Sequence, residues 1–371
     1  MKFSVKDTTR VKGVAILFLY AYHCFSTKDR LAGYPVEFYP FSKELAMCVA
    51  DAMNICVGMF TFLSVYGLTV SYKKLNETLE ISKKQYMESI IKRCTKLMMN
   101  FWVVFFVFQI LHPFFSNKYK YGSSKVDIVA NFLTDMFGFT YILSTPRLCG
   151  AWWYMGLAFF VICMMPFCLN LYKKYGALII APFIFIPLCY IQDATHMTRW
   201  LLTIPFGIIC ADCGILEKLK AKGLPKIKNK VINKLLKFVI MTAVFVIFIK
   251  LRESGFGKAD GPRYLIDGTF SVFAVYYVYD FLVDIPGIGN ILEFLGKHSL
   301  NMFLTHTFIR WVWFKDFTYS LKYAIVIYGF LLLVTIPISV IIELLKKIIQ
   351  YPKLIKIVQN KLLAVVLTQE E

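Results

Sequence analysis

The chain alternates between long apolar runs and short basic interruptions. Apolar segments recur at about 11–25, 44–72, 94–115, 152–170, 177–191, 198–213, 235–250, 264–283, 298–314 and 323–345. Their lengths cluster around the ~20 residues that a helix needs to cross a hydrocarbon layer of ~30 Å. A further segment near 126–143 is a poorer span, because it carries Asp127, Asn131 and Asp135. The distribution of positive charge decides whether it crosses. If it does not, and the N-terminus is cytoplasmic, 27 of the 42 lysines and arginines lie inside, 14 lie outside and Arg310 lies within a helix. If it does cross, the eight basic residues of 214–237 face outward instead. The pattern predicts an all-α integral membrane protein with ten transmembrane helices and both termini cytoplasmic. Residues near 126–143 are then a re-entrant or surface helix on the outer side. The whole of 1–371 reads as one polytopic domain ending in a basic amphipathic cytoplasmic tail, 346–371.

Composition agrees. Hydrophobic residues make up 58% of the 371 positions and charged residues only 18%, against roughly half and a quarter in soluble domains. The net charge of +19 would suggest a nucleic-acid partner in a soluble protein. Here the basic residues flank apolar runs, which points to topology and anionic lipid. No phosphate-binding glycine loop, RNA-binding motif or zinc-finger spacing accompanies them, so no nucleic-acid partner is expected. The stretches 217–237 and 346–366 read as basic amphipathic helices on an anionic inner leaflet. The N-terminus has the charge of a signal peptide but no small-x-small cleavage site, so the first segment is expected to stay as a helix. Most of the ten cysteines lie in apolar runs. The one close pair, Cys210 and Cys213, has no second pair or histidine to complete a metal site, and no metal is predicted.

Ionisable groups at membrane depth are functional candidates by default. At ~1.5 Å per residue, His23 lies ~18 Å above the inner surface, Asp51 ~10 Å below the outer one, and His306 and Arg310 ~12 and ~18 Å up. His23, Asp51 and Arg310 thus fall in one layer, and His306 shares a helical face with Arg310. A carboxylate that holds one imidazole nitrogen makes the other a better base. Asp51 fits that role for His23, Asn54 fits it equally, and an Asp51–Arg310 ion pair is the rival arrangement. At the inner mouth Lys12, Lys92, Arg93 and Lys96 either snorkel to lipid headgroups or form a phosphate-binding mouth. The rise from Lys12 to His23, ~16 Å, approximates an extended phosphopantetheine arm.

VKGVAILFLYAYH (11–23) resembles the first helix of the membrane-bound acyltransferase-3 family, where arginine stands in place of Lys12. Four further stretches resemble that family in order: MFTFLSVYGLTVS (59–71), IIKRCTKLMMNFW (90–102), CGAWWYMGLAFFVICMMPF (149–167) and LGKHSLNMFLTH (295–306). The resemblance covers nearly the whole chain. It implies an acyltransferase of the cell membrane that moves an acyl group, commonly acetyl, from cytoplasmic acyl-CoA to a hydroxyl of a glycan or glycan precursor. It implies a catalytic role for His23, a donor-binding role for Lys12, Arg93 and Lys96, and a late-motif position for His306. Lysine at position 12 keeps a point charge for phosphate but loses the planar fork of arginine. Arg310 or a helix hydroxyl is a candidate oxyanion donor. Trp152 and Trp153 read either as a sugar-stacking platform or as an interfacial aromatic belt. The alternatives are an acyltransferase for an amine, lipid or small molecule, and a transporter or flippase of a lipid-linked glycan. Against the latter, there is no internal repeat and no midplane cluster of glycines.

Overall fold

The computed structural model describes residues 3–116, 121–190 and 197–367. Among these the regular structure is helical, with no β-strand. The helices are α1 (Val5–Phe25), α2 (Lys43–Ala52), α3 (Cys56–Leu75), α4 (Lys83–Phe115), α5 (Lys125–Met136), α6 (Trp153–Tyr175), α7 (Ile180–Tyr190) and α8 (Thr203–Cys213). They continue as α9 (Ile215–Ala221), α10 (Lys230–Glu253), α11 (Gly255–Lys258), α12 (Asp260–Phe281), α13 (Ile288–Thr307), α14 (Lys315–Ser320), α15 (Ala324–Ile348) and α16 (Tyr351–Leu367). Polar punctuation sets several starts. Ser4 and Ser82 form capping boxes with Asp7 and Gln85, while Ser42, Ser124 and Asn229 cap α2, α5 and α10. Each side chain accepts from backbone N–H groups that have no partner within the first turn.

Five helical stretches among the described residues are long and apolar enough to cross a membrane: Lys43–Leu75, Lys83–Phe115, Gly150–Ile186, Lys230–Glu253 and Ala324–Ile348. Residues 198–213 and 215–221, bent by 65° at Gly214, make a sixth candidate. The ten apolar runs of the sequence therefore include segments that do not stand alone by composition. α7 is short, and α1, α12 and α13 are more polar. In α12 the polar groups are turned inward, with Asp267 and Ser271 fully buried. The segment near 126–143 is helical only over Lys125–Met136. Twelve residues reach ~18 Å, short of a ~30 Å core.

The basic stretch 217–237 is not one amphipathic helix. α9 ends at Ala221, a loop follows, and α10 begins at Lys230. Gly223 and Pro225 supply the break. The tail folds as α16, whose Tyr351 hydroxyl and Gln359 amide donate to the Lys96 and Lys92 carbonyls at 3.4 and 2.8 Å. Lys346, counted with the tail, is buried and pairs with Glu343 at 2.7 Å. Residues 368–371 lie outside the described ones.

The helices gather into two compact units, each assembled from separated stretches. One comprises Met1–Gly33, Glu37–Leu79 and Phe167–Ser299, the other Tyr34–Val36, Glu80–Pro166 and Leu300–Glu371. In the first unit α1 meets the start of α13 backbone to backbone. A Cβ added to Gly13 would lie 2.1 Å from the Leu292 carbonyl oxygen, and one added to Gly296 would lie 1.8 Å from that of Thr9. This contact accounts for the glycines in VKG and LGKHS: small residues let helices approach closely where lipid offers no hydrophobic drive between them. Arg10 reinforces it, donating to the Val283 carbonyl at 2.7 Å and pairing with Glu293 at 3.6 Å.

The second unit is built on aromatic packing. The rings of Phe101 and Trp152 meet edge-on at 5.1 Å, and Phe108 stacks on Trp313 at 5.2 Å. Gly13→Ala and Gly296→Ala are expected to lower stability by about 1–3 kcal/mol or more each through overpacking. Gly67→Ala, on an open face of α3 with nothing within 4 Å, is expected to be neutral or stabilising by up to about 1 kcal/mol. Thermal unfolding of the detergent-solubilised protein checks the contrast.

Candidate functional site

α1 carries both ends of the first motif. Eleven residues are three helical turns plus about 20°, so Lys12 and His23 project from one face, ~16 Å apart along the axis. Both are half-buried. The helix stops at Phe25, two residues beyond His23, and its end is fixed. The Tyr22 carbonyl accepts from the Ser26 N–H at 3.1 Å and from the Arg30 guanidinium. Arg30 also donates to Ser26 Oγ at 2.6 Å and lies 4.7 Å over the Tyr22 ring. That ring meets the His23 imidazole edge-on at 5.2 Å.

In the same unit Asp51 stands at the end of α2, where the chain tightens into a 3₁₀ turn at Met53–Ile55 before α3. Such a mid-helix step often marks a hinge or a constraint. Here Ser271 Oγ, 3.2 Å from the Ile55 carbonyl, satisfies an oxygen freed by the break. The Asp51 carboxylate accepts from Arg252 Nη1 at 2.8 Å and from Arg263 Nη2 at 2.7 Å. Arg252 is fully buried and forms a fork with Asp267, also fully buried, at 2.5 and 3.4 Å. Arg263 reaches Asp267 at 3.5 Å. Two arginines and two aspartates thus alternate in one network that joins α2, α10 and α12. An isolated charge at such a position is costly; alternating pairs with fork geometry offset that cost.

Beside this network lies a cavity of about 500 Å³ whose walls include Ser26, Lys28, Asp51, Arg199, Glu253 and Arg263. Ser26 is one turn beyond His23. Arg199 Nε is buried and donates to no partner among the described residues. The cavity can receive a polar molecule carrying several hydroxyl groups, since charged donors and acceptors both line it.

The second unit holds the other motif residues. Arg93, near the start of α4, donates from Nε to Ser89 Oγ at 3.3 Å, and Lys96 is exposed three residues further on. His306 is fully buried near the end of α13. Its Nδ1 lies 2.6 Å from the Phe303 carbonyl and its Nε2 3.1 Å from Thr307 Oγ1. A carbonyl only accepts, so Nδ1 carries a proton; in the neutral ring Nε2 then accepts from the threonine hydroxyl. The helix widens directly afterwards into a π-turn, Phe308–Val312, that contains Arg310. π-turns within helices are frequently found at functional sites. Arg310 is buried, with Nη1 3.2 Å from the Tyr319 hydroxyl, while its Nε has no hydrogen-bond partner among the described residues. Trp152 is buried among Phe101, Phe105 and Phe308 and donates its indole N–H to the Leu304 carbonyl at 2.9 Å. Trp153 is half-buried and 6.2 Å from the Tyr141 ring. Cys210 is buried and Cys213 exposed. No group of three or more metal-ligating side chains occurs among the described residues.

Helices fit to cross a bilayer, with ionisable groups paired or buried among them, define an integral membrane protein. A family described as an acyltransferase domain, the acyltransferase-3 family, matches residues 9–344, and the chain belongs to it. It is therefore an acyltransferase. Comparisons with curated proteins and with solved structures returned no match.

Arg252, Arg263 and Asp267 were not visible as a site in the sequence. Arg252 and Arg263 fall between the apolar runs 235–250 and 264–283, and Asp267 falls within the second. The available signal was the i, i+4 spacing of Arg263 and Asp267. Removing one partner of a buried pair strands the other. Asp267→Ala is therefore expected to cost about 3–5 kcal/mol, and Asp51→Ala less, because its side chain is 28% exposed. Thermal unfolding monitored by size exclusion would measure both.

Proposed function

We propose that this acyltransferase moves an acyl group, acetyl in the first instance, from cytoplasmic acyl-CoA to a hydroxyl of a glycan or lipid-linked glycan, with His23 as general base. The observation that carries this reading is the co-facial placement of Lys12 and His23 on one helix of a chain that belongs to an acyltransferase family. The proposed topology has ten spans, both termini in the cytoplasm and the plasma membrane as location, with α5 on the outer surface.

In the proposed reaction His23 takes the proton of the acceptor hydroxyl. The oxygen attacks the thioester carbonyl, a C–O bond forms, and the C–S bond breaks as the tetrahedral intermediate collapses. The proton passes to the departing thiolate, giving the ester and free CoA. Lys12 holds a donor phosphate as a point charge. The acceptor occupies the cavity at the end of α1, where Ser26 and Arg199 would bind hydroxyl groups. Asp51, committed to Arg252 and Arg263, supports this reading as a wall of that cavity that holds α2 in position. In the second unit Arg93 and Lys96 keep the donor role that the family motifs imply; His306, on the late motif, and Arg310, on its buried position alone, are proposed substrate contacts. Trp152 belongs to the packing of its unit, which leaves Trp153 as the aromatic side chain for a sugar face.

His23→Ala is expected to reduce acetyl transfer or slow acetyl-CoA hydrolysis at least 100-fold, in line with loss of a general base, with an unchanged melting temperature. Full activity in that variant would exclude the mechanism. Lys12→Ala is expected to raise KM for acyl-CoA with little change in kcat, and Lys12→Arg to restore it; steady-state kinetics separates the two.

A further inference from the structure

The basic stretch after α9 forms a pocket. Among the described residues, Lys220, Lys222, Lys228, Lys230, Lys234 and Lys237 line a cavity of about 590 Å³ together with the carboxylates of Glu217, Asp280 and Asp284. Two of the carboxylates are neutralised from within. Lys237 is buried and pairs with Asp280 at 2.6 Å, and Lys220 pairs with Asp284 at 2.7 Å while lying 4.0 Å over the Tyr279 ring. Glu217 accepts from the Phe3 backbone N–H and the Tyr66 hydroxyl at 3.0 and 2.9 Å. The ammonium groups of Lys222, Lys228, Lys230 and Lys234 make no ion pair or hydrogen bond among the described residues. Four lysines without an ion-pair partner therefore ring the cavity; of its carboxylates Asp280 and Asp284 are paired, while Glu217 accepts through Oε1 and its buried Oε2 has no hydrogen-bond partner among the described residues.

The rim is built rather than loose. The Asn233 side chain accepts from the Leu224 N–H at 2.8 Å and donates to the carbonyls of Leu224 and Ile227, both at 2.9 Å. This clamp ties the loop that carries Lys222 and Lys228 to the first turn of α10, which carries Lys230 and Lys234. The floor touches the beginning of α1, since Phe3 packs on Tyr279 with ring centroids 4.6 Å apart. Lys12 stands on that same helix, ~10 Å along the axis from its first residue.

We propose that this pocket binds a phosphate ester, held by Lys222, Lys228, Lys230 and Lys234. Two sources supply that chemistry on the basic side of a membrane protein: the 3′-phosphorylated nucleotide end of the CoA donor, and the headgroup of an anionic phospholipid. The nucleotide source rests on the donor reading above, with the pyrophosphate near Lys12 and the ribose 3′-phosphate below it in the lysine ring. The phosphate site itself does not rest on that reading.

The test uses the full chain in detergent and in nanodiscs, with the variant K222A/K228A/K230A/K234A. These four side chains are exposed, so the fold should persist; K353A/K356A/K361A on α16 serves as a control for lost charge. In one arm, calorimetric binding of 3′,5′-ADP is measured at 50 and 300 mM salt. In the other, the melting temperature is compared in phosphatidylcholine nanodiscs with and without phosphatidylglycerol. A tenfold or greater loss of 3′,5′-ADP affinity in the quadruple variant alone supports the site with the nucleotide as its source. Loss of the phosphatidylglycerol-dependent shift in that variant alone supports the site with lipid as its source. Equal behaviour of wild type and quadruple variant in both arms overturns the proposal. Binding is read without turnover, so His23→Ala should retain it. A failure of the catalytic reading and a failure of this pocket therefore give different results.

Discussion

A guanidinium buried among helices has no water to turn to. Arg252 is fully enclosed, and its charge is tolerable only because Asp267 and Asp51 reach it from α12 and α2. That requirement fixes three helices at one end of the first unit. It places Asp51 just ahead of the 3₁₀ turn, brings Arg263 beside the same carboxylates, and so shapes the cavity next to the end of α1. The site is thus framed by the charges the fold must neutralise. Asp51 is engaged in that frame by Arg252 and Arg263 at the end of α2, while His23 lies near the end of the neighbouring α1.

The family motifs divide in the same way. In VKGVAILFLYAYH the lysine and histidine face together, while the glycine serves the contact with α13. In LGKHSLNMFLTH the glycine is the other half of that contact, and the histidine is buried with both ring nitrogens engaged. A short signature therefore mixes residues that allow backbone approach with polar residues placed by the same helix. The structure sorts one from the other by what each touches.

Much of the helical order is legible from the apolar runs, because the bilayer imposes length. The spacing of Lys12 and His23 was legible for the same reason, being fixed by helical rise. Other features depend on partners far along the chain. Nothing local distinguishes Trp152, sealed under Phe101 and Phe308, from its neighbour Trp153. Arg252 counted as a loop charge because its aspartates come from residues 51 and 267. The stretch 217–237 read as one amphipathic helix because its charge periodicity outweighed Gly223 and Pro225, yet those two residues and the Asn233 clamp decide the outcome. The π-turn at Phe308–Val312 leaves no mark in hydrophobic periodicity at all.

The glycine contact between α1 and α13 also bears on motion. Two helices touching through bare backbone, locked by Arg10 into the Val283 carbonyl, have no side-chain cushion to shear across. α1 can neither rotate nor slide without driving a carbonyl oxygen into its neighbour. Lys12 and His23 therefore keep their levels as fixed marks on a stationary rail. In the proposed reaction, a donor arm reaching from one level to the other has to span the ~16 Å between them by its own flexibility, since α1 is held against α13.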